Sequence, residues 1–352
     1  MTTPKIPLNL FAIPFGLAGL GEAWTALASG HHAPVLVSQV ILLIAAASWV
    51  AVAAAYLSHL ITAEPTVRAG VIGDLRDPIA SPFASLVFIV PVLLASDGLF
   101  PLAATSGRVI TDVFITLTVL LGGWLVGEWF LAPVDLDRFH PGYFLPTVAG
   151  GLVASDGAAL VGQQRLAELM LGFGVLSWIV LGSLILGRLF FRPLLPPALQ
   201  PTMAIEVAPA AVASLAWFAI HGARIDMVTA FLGGYGVLMV IAQLRLLPAY
   251  LRLPFMPSTW AFTFSWAAVA AAAIVWLQSA APTGYRAWQY VIIAAVTALI
   301  GGIAIRTVIA IGRRQFLPHP PAAPASTPAN SGTSASAAAT ASPASTAPAV
   351  TH

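Results

Sequence analysis

The sequence predicts an all-α integral membrane protein, with ten transmembrane helices arranged as five parallel helical hairpins around a central pore. Three observations support this class. Hydrophobic residues make up 59% of the 352-residue chain and charged residues only 8%, and mean hydropathy is +0.91. A soluble protein of this length does not tolerate that balance. No Asp, Glu, Lys or Arg occurs from Ala23 to Ala63, from Pro78 to Ser96, from Leu169 to Gly187 or from Ala287 to Ile305, and a bilayer-crossing helix needs roughly 20 apolar residues. One short pattern, a helix-breaking position followed by small and aliphatic residues, returns five times.

The spans follow in order. The first, 6–27, holds the first copy, Ile13-Pro14-Phe15-Gly16-Leu17-Ala18-Gly19. The second, 35–61, is apolar throughout, and the third, 80–99, carries Val90-Pro91-Val92-Leu93-Leu94-Ala95-Ser96. The fourth covers 109–132, and the fifth, 143–161, carries Leu145-Pro146-Thr147-Val148-Ala149-Gly150-Gly151. The sixth is 166–190, and the seventh, 200–220, carries Ala208-Pro209-Ala210-Ala211-Val212-Ala213-Ser214. The eighth is 227–247. The ninth, 258–278, carries Phe264-Ser265-Trp266-Ala267-Ala268-Val269-Ala270, with serine in the proline's place; the tenth is 287–311.

The copies fall only in odd spans, at intervals of about 55 to 77 residues, the length of a helical hairpin with its loops. A break in mid-membrane frees backbone polar groups, which is tolerated only against protein or a watery cavity. The odd helices are therefore expected inside, with kinks at Pro14, Gly16, Pro91, Pro146, Pro209 and Ser265 lining the pore. The even helices are expected outside, presenting runs such as Leu184-Ile185-Leu186 to lipid. At the repeat position next to each break stand Ile13, Val90, Leu145, Ala208 and Phe264. Four aliphatics and one large ring at one level make a hydrophobic constriction. Phe262 and Trp266 are the rival aromatics.

With the amino terminus inside, eleven Lys and Arg fall on the cytoplasmic side and four (Arg108, Arg165, Arg224 and Arg286) on the other. This positive-inside bias places both termini in the cytoplasm of a multi-pass inner or plasma membrane protein. Pro14 and Gly16 belong to the repeat, so the first span reads as an inner helix rather than a cleaved signal peptide. Residues 1–316 form the membrane domain. From 317 to 352 the chain is rich in Ala, Pro, Ser and Thr and lacks charged residues, which predicts a disordered, dispensable cytoplasmic tail.

The net charge of +2 is small and spread over loops, so nucleic acid is not a partner. There is no cysteine, which excludes thiol catalysis and disulfides. No catalytic constellation, metal site, cofactor motif or nucleotide-binding loop is found. His31-His32 and Asp135-x-Asp137 read as solvated loop groups, and His59 and His140 as interfacial caps. Glu22, Asp97, Asp112, Asp156 and Glu168 lie near the outer span ends and read as interfacial; Glu128, near the end of an outer helix, reads as paired or snorkelling. Glu206 lies three residues before Pro209. Two readings stay open for it: a partner for backbone freed by the break, or a protonatable coupling group.

Three stretches carry a resemblance: Phe11-Ala12-Ile13-Pro14-Phe15-Gly16-Leu17-Ala18-Gly19-Leu20-Gly21, His140-Pro141-Gly142-Tyr143-Phe144-Leu145-Pro146-Thr147 and Trp260-Ala261-Phe262-Thr263-Phe264. Together they resemble the tellurite-resistance/dicarboxylate transporter family, which includes bacterial TehA proteins and plant slow anion channels. The resemblance covers about 6–312 and not the tail. It implies ten helices in five hairpins, a homotrimer with a pore through each subunit, and passage of small inorganic or carboxylate anions. It further implies a phenylalanine gate on the ninth helix, which by motif match is Phe264. The functional expectation is an anion-selective channel. The alternative is a secondary carrier, proton-coupled through Glu206, for C4-dicarboxylate, sulfite or tellurite-type oxyanions.

Overall fold

The structure, a computed structural model, describes residues 6–62, 73–132 and 134–316. The tail 317–352, Lys5, Arg68, the start of the loop at Glu64 and the side chain of His59 lie outside the described residues. Among the described residues there are ten α-helices and no strand. They are α1 (Ala12–Ser29), α2 (Val35–Thr62), α3 (Leu86–Leu93), α4 (Ala104–Leu131) and α5 (Gly150–Leu160). The second half holds α6 (Gln164–Phe191), α7 (Ala208–His221), α8 (Met227–Tyr250), α9 (Ala261–Ala280) and α10 (Tyr285–Gly312). Among the described residues nine segments are long and apolar enough to cross a membrane, so the chain is a multi-pass membrane protein. The fifth span is the exception. Expected over 143–161, it is a five-residue π-helix, Leu145–Ala149, followed by the eleven-residue α5. The helical run already begins at Pro141, so Pro146 lies inside it and has no N–H to donate to the carbonyl four residues back.

Each odd helix is entered through a 3-10 turn: Leu8–Phe11, Ser81–Ser85, Pro141–Tyr143, Gln200–Val207 and Pro257–Trp260. Prolines preset these turns at Pro82, Pro141, Pro201 and Pro257, where a missing N–H costs nothing. At three of the repeat prolines the helix type changes. Pro91 lies inside α3, which passes into a π-helix at Leu94–Leu99. Pro146 opens the π-helix before α5, and Pro209 is the second residue of α7, after an eight-residue 3-10 segment. At Pro14 and Ser265 the α-helix continues. The Ser265 hydroxyl donates to the Ala261 carbonyl one turn back, at 3.1 Å, inside an unbroken α9.

Burial divides the helices by parity. The four long odd segments have 56% to 89% of their most apolar stretch buried, and the five even helices only 17% to 28%. α5 is buried from Gly150 to Ala158. The even helices expose large apolar side chains with nothing covering them, among them Leu43, Leu120, Ile179, Val237 and Val308. That much uncovered Leu, Ile and Val is what a lipid-facing surface requires. Each odd helix packs on the even helix that follows it, and also on the next odd helix in chain order; α9 packs back on α1.

Two glycine sites set how closely helices approach. A side chain on Gly16 would overlap Thr263, and one on Gly19 would lie 2.8 Å from the Phe264 ring. Glycine here is what lets α1 and α9 meet backbone to side chain. Gly151 and Gly174 do the same for α5 against α6: an added Cβ would lie 2.6 Å from the Gly174 backbone in the first case and 2.8 Å from Leu152 in the second. Outer helices are tied on by hydrogen bonds in an apolar setting. Trp24 Nε1 donates to Thr297 Oγ1 at 3.1 Å, and Trp260 Nε1 to Thr307 Oγ1 at 2.9 Å, both on α10.

Candidate functional site

All five odd helices contribute to one apolar cavity of about 40 Å³. A single water occupies roughly 10–15 Å³ on this measure, so the space holds about three waters and no hydrated ion. Phe15, Leu86, Leu145, Pro209 and Phe264 each supply a wall. The first α-helical residues Ala12, Leu86, Ala208 and Ala261 are all on its lining, as is Ala149, which immediately precedes α5. Each of these starts continues out of a helical turn, and the N–H groups of Ala12, Ala208 and Ala261 are already bonded there, so the starts offer the cavity no free donor, and no basic side chain lines it.

Phe264 is 5% exposed and projects into this space. Its ring stacks on that of Phe15, with centroids 3.6 Å apart and planes at 14°. On another side it rests over Gly19. The ring is thus held between an aromatic face and a backbone, and neither wall yields easily. Phe262 instead meets Tyr250 edge-on at 4.8 Å, and neither Phe262 nor Trp266 lines the cavity.

Of the five repeat positions, Leu145, Ala208 and Phe264 line the cavity, whereas Ile13 and Val90 do not. Their places are taken by Ala12 and Phe15 of α1 and by Phe83 and Leu86 around the start of α3. Pro209 and Ser265 are on the lining; Pro14, Gly16, Pro91 and Pro146 are not. Phe15 was not picked out from sequence. The available signal was its place two residues beyond the repeat position, within Phe15-Gly16-x-x-Gly19.

Glu206 is also off the lining. It is 3% exposed, and both carboxylate oxygens are buried without a hydrogen-bond partner. It is close enough to Tyr235 and Tyr250 of α8 to act on their hydroxyls. Two acidic residues expected at the membrane interface are instead buried in the helix assembly. Glu22 is 7% exposed and Asp156 6%; Asp97 is close enough to act on both, and Asp156 on Glu22. α1, α5 and the π-helix after α3 therefore bring three carboxyl groups together. Glu168 does stay exposed, in a pair with Arg165, and Asp112 accepts from Gln163 at 2.8 Å.

His140, expected as an interfacial cap, is fully buried in the turn before α5. Its Nδ1 accepts from the Gly142 N–H at 3.1 Å. Burial lowers its pKa from 6.5 to about 4; the nearby Arg188 guanidinium adds to this, and the Ile79 carbonyl and Asp77 oppose it. Among the described residues no group of three His, Asp or Glu is placed to hold a metal ion.

Comparison with known proteins agrees with this architecture. A family model described as SLAC1, voltage-dependent anion channel, matches residues 5–308. The chain is 28% identical over 312 residues to the tellurite resistance protein TehA homolog of Haemophilus influenzae, covering 88% of this chain and 92% of that one. It is 24% identical over 316 residues to the S-type anion channel SLAH3 of Arabidopsis thaliana, covering 87% of this chain and 48% of the plant protein. Matched along most of its length by that family model, the chain belongs to the SLAC1 family of voltage-dependent anion channels.

Proposed function

We propose that the protein is an anion-selective channel whose pore runs between the five odd helices and is occluded by Phe264. The observation that carries this reading is the Phe264 ring in an apolar cavity built by all five odd helices. An ion entering that space must shed its water against hydrocarbon, and the cost of moving a bare charge into such surroundings is prohibitive. No basic side chain lines the cavity to trap the anion. The contacts of α1 through α9 in chain order support five hairpins around an axis. The charge distribution supports cytoplasmic termini. The homotrimer, with one pore per subunit, follows from the family resemblance.

Purified protein in liposomes tests the reading. The Phe264→Ala variant is expected to pass chloride and nitrate but not potassium. Reversal potentials that follow potassium would overturn it. A second reading is favoured by Glu206, whose buried carboxylate has no partner. In that reading the protein is a proton-coupled carrier for dicarboxylate, sulfite or tellurite-type oxyanions. Glu206→Gln is then expected to abolish pH-dependent uptake while the fold is retained. Uptake with unchanged pH dependence in this variant removes Glu206 from the mechanism.

A further inference from the structure

We propose that Arg188, together with His140, Tyr143 and Trp129, holds a small anion in a buried site beside the central cavity. Arg188 lies in the last turn of α6, Trp129 near the end of α4, and His140 and Tyr143 flank the turn into α5. None of the four lines the central cavity, and the proposal does not depend on Phe264 being a gate.

The argument starts from an uncompensated charge. Arg188 is 3% exposed. Its Nη2 donates to the neutral carbonyl of Asp137 at 3.1 Å, while its Nε is buried with no partner. Among the described residues no carboxylate reaches ion-pair distance of it; the Asp137 side chain turns to Arg192, 3.8 Å away. The carbonyl end of α6 offers only partial negative charge. A buried guanidinium without a counter-charge is strongly unfavourable.

The neighbours are donors as well. His140 Nδ1 is an acceptor, so its hydrogen sits on Nε2, which faces the Ile79 carbonyl without reaching hydrogen-bond geometry. The Tyr143 hydroxyl and the Trp129 Nε1–H are likewise buried and unpartnered. The Tyr143 ring is 4.9 Å from that of Trp129 and 5.4 Å from that of His140. The Arg188 guanidinium is near enough to act on His140. The charged groups that act on Tyr143 are Arg138 and Asp77. Asp77 is occupied, since its Oδ1 accepts from the Ile79 and Ala80 N–H groups at 2.7 and 3.2 Å.

Two N–H donors and a hydroxyl on neighbouring rings, together with the cation's own Nε–H, are thus buried without a hydrogen-bonded acceptor. A water would satisfy hydrogen bonds but leave the charge. An anion satisfies both. The chemical class is a halide or small oxyanion, either dissolved or as the phosphate of a lipid headgroup. Phe144 and Leu145, immediately after Tyr143, do line the central cavity, so an occupied site would brace part of its wall.

The test uses full-length protein in detergent, stripped of lipid. Thermal unfolding is followed at constant ionic strength as bromide replaces gluconate, and crystals grown in bromide are examined by anomalous scattering. The expected results are a saturable rise in midpoint and a bromide peak beside Arg188 Nε. Tyr143→Phe and Trp129→Phe each remove one donor, and each is expected to raise half-saturation by about tenfold. Arg188→Met is expected to abolish the bromide effect. A rise that appears only on adding anionic lipid supports the site with the headgroup as its source. A bromide effect equal in wild type, Arg188→Met and Tyr143→Phe overturns the proposal, as does bromide found only in the central cavity. If Arg188→Met does not fold, Tyr143→Phe decides: unchanged half-saturation overturns the site.

Discussion

Replacing Phe264 by alanine is the perturbation with the largest expected effect on conduction. With Phe264 as the proposed gate, opening requires the Phe264 and Phe15 rings, stacked at 3.6 Å, to separate and admit water. Wetting the two facing surfaces exposes on the order of 150 Å² of apolar area, which at ~25 cal/mol/Å² costs about 4 kcal/mol. Lost ring stacking adds about 1 kcal/mol. A barrier of about 5 kcal/mol leaves the open form at roughly one part in 10³ to 10⁴. Phe264→Ala removes one ring entirely, so the unit conductance should be populated most of the time and macroscopic current should rise by about three decades. Phe264→Leu keeps an apolar plug without stacking and should fall between. The assay is two-electrode recording in oocytes at matched surface expression, with Phe262→Ala and Trp266→Ala as controls that should change stability more than current. A silent Phe264→Ala beside a conducting Phe262→Ala would refute the register of α9 and the argument built on it.

Four further outcomes are expected. Gly19→Ala puts a methyl 2.8 Å from the Phe264 ring, about 1 Å inside ordinary contact; with Phe15 blocking retreat, the ring must shift, and a basal current severalfold above wild type should appear in the same recordings. In the Phe264→Ala background, Asp156→Asn should raise chloride current severalfold, because Asp156 is buried beside two further carboxyl groups, Glu22 and Asp97; unchanged current would place that cluster off the anion path. Glu206→Gln should retain wild-type thermal stability, since an amide fills the same space, and its pH–flux curve separates channel from carrier. The last concerns acid stability. His140 has a folded pKa of about 4 against 6.5. Its contribution is fully present above pH 6.5 and is lost as pH falls towards 4, by about 3 kcal/mol. His140→Asn should flatten the dependence of thermal midpoint on pH over that window, and an equally steep curve in the variant would show that His140 is not the group responsible.

Helix number and the division into buried and exposed helices were legible because both rest on local rules. Charge-free runs of spanning length report the spans, and mid-span breaks confined to odd spans report which helices pack against protein; Pro248 of the even α8 lies only in its last turn. The fifth span lies where it was expected, as a continuous helical run over 141–160, but hydropathy does not register that its middle is a π-helix around Pro146. Phe264 could be picked out by aligning repeats, because it is the one ring among Ile13, Val90, Leu145 and Ala208. Phe15 could not, because its importance comes from a partner 249 positions away. Glu22 and Asp156 were misplaced for a similar reason. Position along a span gives depth, but facing depends on rotation about the helix axis, and their helices are buried on nearly every side. The unpartnered donors around Arg188 are equally a product of three separate elements meeting.

The closure of α9 onto α1 also has a consequence for biogenesis. Gln278 donates to the Ala26 carbonyl across 252 positions, and Trp24 to Thr297 across 273. At about 5–20 residues per second, a ribosome takes roughly 12 to 50 s to make the chain between Ala26 and its partner. Throughout that interval the Gly16–Gly19 face of α1 waits in the membrane without the surface it was shaped for. Four hairpins can insert and pair with their neighbours, yet the cavity has no fifth wall until α9 arrives. Such non-local pairing is slow to form and leaves apolar faces open to wrong partners. Truncation after α8 should therefore yield not an open version of the same protein but an assembly intermediate, exposed along α1 and marked for chaperones and proteases.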